Sequence, residues 1–213
     1  LSCSDTARKV ITVEVPPTST ITVGGATSTI EKCANDRTVA ISGTASNGVG
    51  IWTSSGNGTF APNDSIAAIS YTISDADTVV GSIQLYLTVT GIGGCSSIEA
   101  IDTLNINITK EPIADVNVIG NAVVACPYNR TLGLSGLVSN GTGIWTSSGT
   151  GTFSPNDSAS ATSYDITDAD TAANSIELIL TATGSVACNS VTNKDTLRVS
   201  FAPGPSANVG LIK

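Results

Sequence analysis

Cysteine carries the most distinctive chemistry in this sequence. Five cysteines occur among 213 residues, and no two of them form the Cys-x-x-Cys pair that is typical of metal and redox sites. Cysteines without that spacing are typical of proteins from an oxidising compartment, where thiols form disulfides. The sequence therefore predicts that Cys3 lacks its partner and that four residues are disulfide cysteines: Cys33, Cys95, Cys126 and Cys188.

Two Asp-Ala-Asp triplets are the candidate metal ligands, namely Asp75 with Asp77 and Asp168 with Asp170. Calcium prefers six to eight oxygen ligands, and clustered carboxylates could supply several of them. The alternative is that Ser74 or Asp75 caps a short helical turn, with Asp77 near its positive end. The sequence favours the cap, because an Asp-x-Asp pair alone lacks the rest of a calcium-binding loop.

Composition excludes several classes of function. The chain has no His, and it contains neither a Gly-x-Ser-x-Gly nor a Ser-x-x-Lys motif, so we do not expect an enzyme. Nine Lys and Arg residues against seventeen Asp and Glu give a net charge of −8, which is unsuited to binding nucleic acid. No apolar stretch approaches the roughly 18 residues of a membrane span, so this segment is not expected to insert into a membrane.

An internal repeat with an offset of 93 residues organises these positions. Gly50–Gly56 recurs as Gly143–Gly149, and the same offset maps Cys33 onto Cys126 and Cys95 onto Cys188. We predict two repeats, residues 16–110 and 111–203. Residues 1–15 resemble the tail of a preceding repeat and residues 204–213 the start of a following one, so the chain looks like part of a longer array.

Within each repeat, apolar and polar residues alternate with the period of a half-buried β-strand. Seven strands in about 93 residues are typical of an immunoglobulin-like sandwich, so we predict an all-β fold of tandem Ig-like repeats. Trp52 and Trp145, each on a central strand, are predicted to be core residues. The second repeat's strands follow at the same offset, and the first repeat's are predicted at about 18–24, 37–45, 49–54, 58–61, 68–73, 82–90 and 100–109.

The repeated motifs resemble a known class of surface repeats. Each repeat contains Cys-x3-Arg-Thr, Gly-Ile-Trp-x3-Gly-x-Gly-Thr-Phe, Leu-x-Leu-Thr-x-Thr-Gly and Cys-(Ser/Asn)-Ser. This series resembles the tandem PKD-like and Ig-like repeats of very large Bacteroidota surface proteins, including gliding-motility adhesins of the SprB type. The resemblance implies seven-stranded sandwiches, secretion, display in long surface filaments, and roles in adhesion or gliding. Ser55–Gly58 replaces the Gly-Asp-Gly turn that is common in PKD domains, which favours the general Ig-like description.

The same resemblance suggests that a second pattern in the sequence, Asp followed by Ser or Thr, marks sites of glycosylation. Asp is followed by Ser or Thr and then by a small or aliphatic residue seven times, which is the O-glycosylation acceptor pattern of Bacteroidota. The alternative is that these dipeptides form turns and caps, whose side chains bond nearby backbone N–H groups. The candidate acceptors are Thr6, Ser65, Thr78, Thr103, Ser158, Thr171 and Thr196.

The disulfide pairing stays open at the level of sequence. Pairing within repeats would join Cys33 to Cys95 and Cys126 to Cys188. In Ig topology, however, the start of the second strand and the turn after the sixth lie at opposite ends of the sandwich. Bridged Cα atoms lie within about 7 Å of one another, so a Cys33–Cys188 bond across the repeat junction is one alternative. Free thiols are the other.

The leading hypothesis is that these repeats are rigid structural spacers of a secreted bacterial surface filament. Neighbouring repeats would be their partners, and the whole protein would meet a surface polysaccharide or other substratum. The rival hypothesis is a carbohydrate-binding Ig-like module, which requires exposed aromatic side chains. Tyr86 and Tyr128 are the candidates for that role, because neither has an aromatic counterpart in the other repeat.

Overall fold

The computed structural model describes residues 8–25, 28–65, 67–158 and 160–204. By their contacts, the residues form two units. The first unit extends up to Glu31 and continues over Asp36–Ile108, and the second unit comprises Lys32–Asn35 and the chain from Thr109 onward. The short segment Lys32–Asn35 lies inside the first repeat by sequence but belongs to the second unit by its contacts.

The described part of the first repeat contains eight strands and two short helices. Helix α1 (Asp75–Val80) precedes β7, and a 3₁₀-helix (Gly93–Cys95) follows it. The seven predicted strands are confirmed, and β2 is an additional one. The strands are β1 (Thr18–Thr22), β2 (Thr29–Cys33), β3 (Thr38–Ser46), β4 (Gly48–Ser54), β5 (Thr59–Ala61), β6 (Ala68–Thr72), β7 (Ser82–Gly91) and β8 (Glu99–Thr109).

These strands form the two sheets of a sandwich. One sheet has the order β1-β3-β6-β5 and the other β2-β8-β7-β4. Residues that alternate along β3, β6, β7 and β8 point inward and are buried. Trp52 on β4 is 2% exposed and Tyr71 on β6 is fully buried, so the predicted core position of Trp52 is confirmed.

The second repeat has the same succession of elements, apart from one additional 3₁₀-helix and one additional strand. Helix α2 (Asp168–Ala172) precedes β16, and 3₁₀-helices cover Ile119–Asn121 and Val186–Cys188. Trp145 is 2% exposed in its core, as predicted. The strands are β9 (Ile113–Asp115), β10 (Ala122–Ala125), β11 (Thr131–Ser135), β12 (Leu137–Ser139), β13 (Gly141–Ser147), β14 (Thr152–Ser154), β15 (Ala161–Asp165), β16 (Ser175–Gly184) and β17 (Thr192–Phe201).

The sheets of the second unit differ from those of the first in one strand. The order β10-β17-β16-β13 matches the β2 sheet, but the other sheet is split into β11-β15-β14 and β9-β12. The break falls at Gly136, which corresponds to Gly43 in the unbroken β3. A Cβ atom at Gly136 would lie 2.7 Å from the Trp145 ring, and one at Gly43 would lie 2.5 Å from Trp52. Glycine at this position therefore lets the indole pack against the strand backbone.

Candidate functional site

The disulfide joins two residues that are far apart in the sequence. Cys33, at the end of β2, is bonded to Cys188 at the end of the 3₁₀-helix Val186–Cys188, with a Cα–Cα distance of 4.9 Å and a separation of 155 residues. Both residues are buried, Cys33 at 5% and Cys188 at 0% exposure. The Thr109 carbonyl oxygen lies 3.3 Å from the Cys188 Sγ and accepts the Ala34 N–H at 2.9 Å. A hydrogen bond and a covalent bond thus hold Lys32–Asn35 in the second unit.

Pairing within repeats is therefore wrong, and Cys95 and Cys126 are free thiols among the described residues. The length of β8 explains the result. The Ala34 N–H bonds Thr109 at the end of β8, so Cys33 lies beside that end, whereas Cys95 precedes its start. Eleven residues at about 3.3 Å each separate the two ends by roughly 36 Å. Cys3 lies outside the described residues.

A buried carboxylate recurs in both repeats at the start of the short helix. Ser74 is the N-cap of α1, and its hydroxyl accepts the Asp77 N–H while the Asp77 carboxylate accepts the Ser74 N–H at 2.9 Å. Asp77 is 2% exposed and accepts a second bond, from the Asn57 N–H, at 2.7 Å. The predicted helical cap is confirmed, with Ser74 in the capping position.

A tyrosine completes this network from the neighbouring strand. The Tyr71 hydroxyl donates to the Asp77 carboxylate at 3.4 Å, accepts the Gly58 N–H at 2.9 Å and shares a 2.9 Å bond with the Ser54 hydroxyl. The second repeat has the same arrangement, in which Asp170 accepts bonds from the Thr150 and Thr167 N–H groups and from the Tyr164 hydroxyl.

The network fixes the charge state of its members. Burial by itself would raise the pKa of Asp77, but the bonds from the Asn57 and Ser74 N–H groups and the two hydroxyls outweigh it and lower that pKa. Burial raises the pKa of Tyr71, and the nearby Asp77 charge adds to the effect. The same directions hold for Asp170 and Tyr164. The pair is thus a stable carboxylate beside a neutral phenol, which suits a structural support.

The neighbouring aspartates point to different partners. Asp75 forms an exposed ion pair with Arg37 at 2.8 Å, and Asp168 forms the equivalent pair with Arg130. Because each helix divides its two carboxylates between an arginine and a backbone cap, they do not converge on one point. No group of three or more acidic, cysteine or histidine side chains that could hold a metal occurs within the described ranges. Calcium at Asp75, Asp77, Asp168 and Asp170 stays a prediction.

The candidate glycosylation residues occupy three kinds of place. Ser65 and Ser158 are exposed in loops; their backbone N–H groups bond the Asn63 and Asn156 side chains. Thr78 and Thr171 are half-buried and donate to the Asp75 and Asp168 carbonyl oxygens. Thr103 and Thr196 are half-buried on β8 and β17, and Thr6 lies outside the described residues. Modification itself stays a prediction at all seven positions.

Two aspartates of the Asp-Thr pattern, at equivalent positions of the two repeats, have a structural role that the sequence did not predict. Asp102 accepts the Ile21 N–H at 2.6 Å, and Asp195 accepts the Val116 N–H at 2.9 Å. Each thereby ties the backbone near the start of its repeat to the last strand of that repeat. In the sequence, only the recurrence of Asp-Thr at equivalent positions pointed to this role. The same two sites also match the glycosylation pattern, so the recurrence could not distinguish the two roles.

The two tyrosines that are candidates for stacking a sugar differ in exposure. Tyr128 is 70% exposed, whereas Tyr86 is half-buried and donates to the Gln84 side chain at 2.7 Å.

Within the described ranges, no helix is long and apolar enough to cross a membrane.

Comparison with known proteins shows the fold. No protein-family model and no curated protein sequence matches this chain. Among solved structures, Drosophila N-cadherin EC1-4 is similar with a TM-score of 0.52 at 16% identity, over 89% of this chain and 50% of that one. The protocadherin GammaB4 extracellular domain (TM-score 0.45, 12% identity, 87% and 35% covered) and the D00-D0 domain of intimin (0.47, 7%, 85% and 98%) are also similar. This chain thus spans between a third and a half of the two cadherin-type chains. Its all-β repeats are similar in fold to N-cadherin EC1-4.

Proposed function

We propose that this chain is a pair of structural spacer repeats of a secreted bacterial surface adhesin or filament that serves adhesion or gliding motility. The Cys33–Cys188 disulfide carries the proposal, because it closes a loop with a sequence separation of 155 residues inside the repeat array. A force applied to the two ends of the chain is transmitted through the disulfide, so the residues between Cys33 and Cys188 do not carry it. The bond would thereby protect most of both sandwiches from being pulled open.

Three further observations support a spacer. Several of the residues that recur at the offset of 93, such as Trp52 and Asp77, are buried in the core of their repeat, so they serve folding. The disulfide suits an oxidising compartment outside the cytoplasm. A solved structure with a similar fold, Drosophila N-cadherin EC1-4, is also a tandem of domains.

Force spectroscopy on single molecules tests whether the disulfide protects the two sandwiches from being pulled open. At about 3.5 Å per residue, the 155-residue separation conceals roughly 540 Å of extended chain. We expect pulling at the two termini to release this length only after reduction. A reduced and an oxidised chain that extend to the same length would contradict the proposal, whereas a Cys95→Ala chain serves as a control that keeps the bond.

Surface placement needs a separate experiment in the cells that produce the protein. We expect protease treatment of intact cells to remove the repeats and leave a cytoplasmic marker untouched. Persistence of the repeats until the cells are lysed would contradict a surface location.

Glycosylation is part of the same proposal and is supported by the exposure of two of the candidate residues, Ser65 and Ser158. Ser65 and Ser158 are the best placed of the candidates, because their loops leave room for a glycan. We expect peptide mapping of natively produced protein to find hexose-type mass additions at these serines. Unmodified masses at all candidate positions would remove glycosylation from the proposal and leave the spacer role untouched.

A further inference from the structure

The outward face of one sheet in the first repeat carries a groove lined by polar side chains. The sheet consists of β2, β8, β7 and β4, and its opposite face packs in the core. The groove has a volume of about 370 Å³, within the range of about 300–1,000 Å³ that is typical of ligand pockets. We call it the amide groove, because its lining combines Gln84, Asn105 and Asn107 with the hydroxyls of Thr29, Ser55 and Ser82.

Hydrogen bonds hold the three amides in place. The Gln84 Nε2 donates to the Asn105 Oδ1 at 2.9 Å, and the Asn105 Nδ2 donates to the Ser28 carbonyl oxygen at 3.0 Å. The Asn107 Nδ2 donates to the Glu31 carboxylate at 2.7 Å. An amide nitrogen carries two N–H groups, and each of these three uses one of them in the bonds made by the described residues. One N–H group of each amide is therefore left to donate to a ligand from a fixed position.

An aromatic ring lies next to the amides. Tyr86 follows Gln84 by two residues on β7, so both side chains are on the outward face. The Tyr86 hydroxyl donates to the Gln84 Oε1 at 2.7 Å, so the ring leans along the strand. Tyr86 is half-buried, between Thr53 and Thr103 on the neighbouring strands. This placement turns one face of the ring to the sheet and the other to solvent, where a flat apolar surface can stack on it.

The second repeat does not have these side chains. The same strands form the corresponding sheet there, with Glu177 opposite Arg198 as Gln84 is opposite Asn105. Because the second repeat folds without the groove side chains, folding does not require them in the first. At the offset of 93, Gln84, Tyr86, Asn105 and Asn107 are replaced by Glu177, Ile179, Arg198 and Ser200.

We propose that the amide groove and Tyr86 bind an uncharged oligosaccharide. A hexose ring stacks the C–H groups of one face on the Tyr86 ring. Its hydroxyls accept hydrogen bonds from the amide N–H groups and donate to the Glu31 carboxylate, which is exposed beside the groove. This binding activity goes beyond the spacer role and does not depend on it.

Charge and topology argue against other occupants. Glu31 is the charged group among the residues of the groove and its rim, so an acidic polysaccharide or a nucleic acid would be repelled. Strands β7 and β8 lie inside the sheet, so this face offers no strand edge to an extended peptide. A stable protein partner needs about 800 Å² on each side with several aromatic or apolar anchors, and one tyrosine among short polar side chains does not supply them.

A titration followed by NMR tests the site. The ¹⁵N-labelled chain is titrated with cellohexaose, with β-1,4-linked mannohexaose and, as the acidic counterpart, with hexagalacturonate. We expect at least one of the two uncharged hexasaccharides to shift the amide resonances of β7 and β8 with millimolar affinity, and hexagalacturonate to leave them unchanged. The protein used carries no glycan, as its intact mass shows, since a glycan on Thr103 would lie beside Tyr86.

Substitutions locate the binding on these side chains. Tyr86→Ala removes the stacking surface and should weaken binding at least about tenfold, whereas Tyr86→Phe keeps the ring and should weaken it only about threefold. Asn105→Ala removes the acceptor that holds Gln84 and should also weaken binding. Ile179→Ala, at the position equivalent to Tyr86 in the second repeat, is the matched control and should bind like the unaltered chain. Unchanged resonances away from the sheet show that each variant is folded.

The outcomes that would overturn the inference are distinct. Resonances of β7 and β8 that neither uncharged hexasaccharide shifts would exclude the site, and so would equal affinities of the unaltered chain and of both Tyr86→Ala and Asn105→Ala. Binding of hexagalacturonate alone would contradict the uncharged class of ligand. The pulling experiment depends on the Cys33–Cys188 bond and not on this groove, so the spacer proposal and this inference can fail separately.

Discussion

The Asp–Tyr network and the cysteine positions both recur at an offset of 93 residues, but only the network has the same partners in both repeats. Asp77 and Asp170 are each capped, buried and bonded to a tyrosine of their own repeat. Cys188, in contrast, is bonded to the previous repeat, and Cys95 is free. A recurring residue therefore serves either the interior of one sandwich or a bond from one repeat to the other, and its partner decides which.

Among the changes that test this comparison, removing the disulfide should lower the stability of the protein most. We expect the double variant Cys33→Ala with Cys188→Ala to lower the free energy of unfolding by up to about 5 kcal/mol, because the bond closes a very long loop of the unfolded chain. Urea denaturation measures the loss. Cys95→Ala, which removes an unbonded cysteine, is the matched control and should change the free energy far less. Equal losses in the two variants would show that the bond adds no stability.

Removing the buried carboxylate should have the next largest effect. Asp77→Ala leaves the Asn57 and Ser74 N–H groups and the Tyr71 hydroxyl without their acceptor, so we expect a loss of about 3 kcal/mol in the free energy of unfolding. Asp170→Ala should cost the same in the second repeat. Asp75→Ala, which removes only an exposed ion pair, should cost a few tenths of a kcal/mol. A large difference between Asp77→Ala and Asp170→Ala would break the equivalence of the two networks.

The network also predicts how stability depends on pH. The lowered pKa values of Asp77 and Asp170 mean that the unfolded chain binds these protons first, so stability should fall as the pH drops below the ordinary carboxyl range of about 4. The raised pKa values of Tyr71 and Tyr164 mean that stability should fall as the pH rises above about 10. Thermal melting across this range measures both limits.

Matched variants assign each limit to its residues. Asp77→Asn with Asp170→Asn should flatten the acid limb, and Tyr71→Phe with Tyr164→Phe the alkaline limb. An acid limb that survives the asparagine variants would place the responsible carboxylates elsewhere.

Calcium should have the smallest effect, or none. Asp77 already accepts two backbone N–H groups and Asp75 an arginine, so no cluster of free oxygens is presented by α1. We expect the melting temperature to be the same in calcium and in chelator. An increase with calcium that disappears in Asp75→Asn would revive the calcium site.

The sequence predicted most of the fold because its signals are local. Alternation along Ile83–Val89 needs only one buried face, and Ser74 three residues before Asp77 is sufficient for a capping box. Strand β2 was missed because Ile30 is the one strongly apolar residue before Cys33 in that stretch. The break at Gly136 was missed as well, since Gly43 occupies the same place in an unbroken strand.

The sequence by itself determined the repeat, most of the strands and the helical cap. Only the tertiary structure decided that Cys33 pairs with Cys188 and that Asp102 ties a strand near the start of its repeat to β8. Both decisions depend on which ends of long strands lie side by side. An eleven-residue β8 carries Cys33 and Cys95 to opposite ends of a sandwich, and spacing along the chain carries no record of that separation in space.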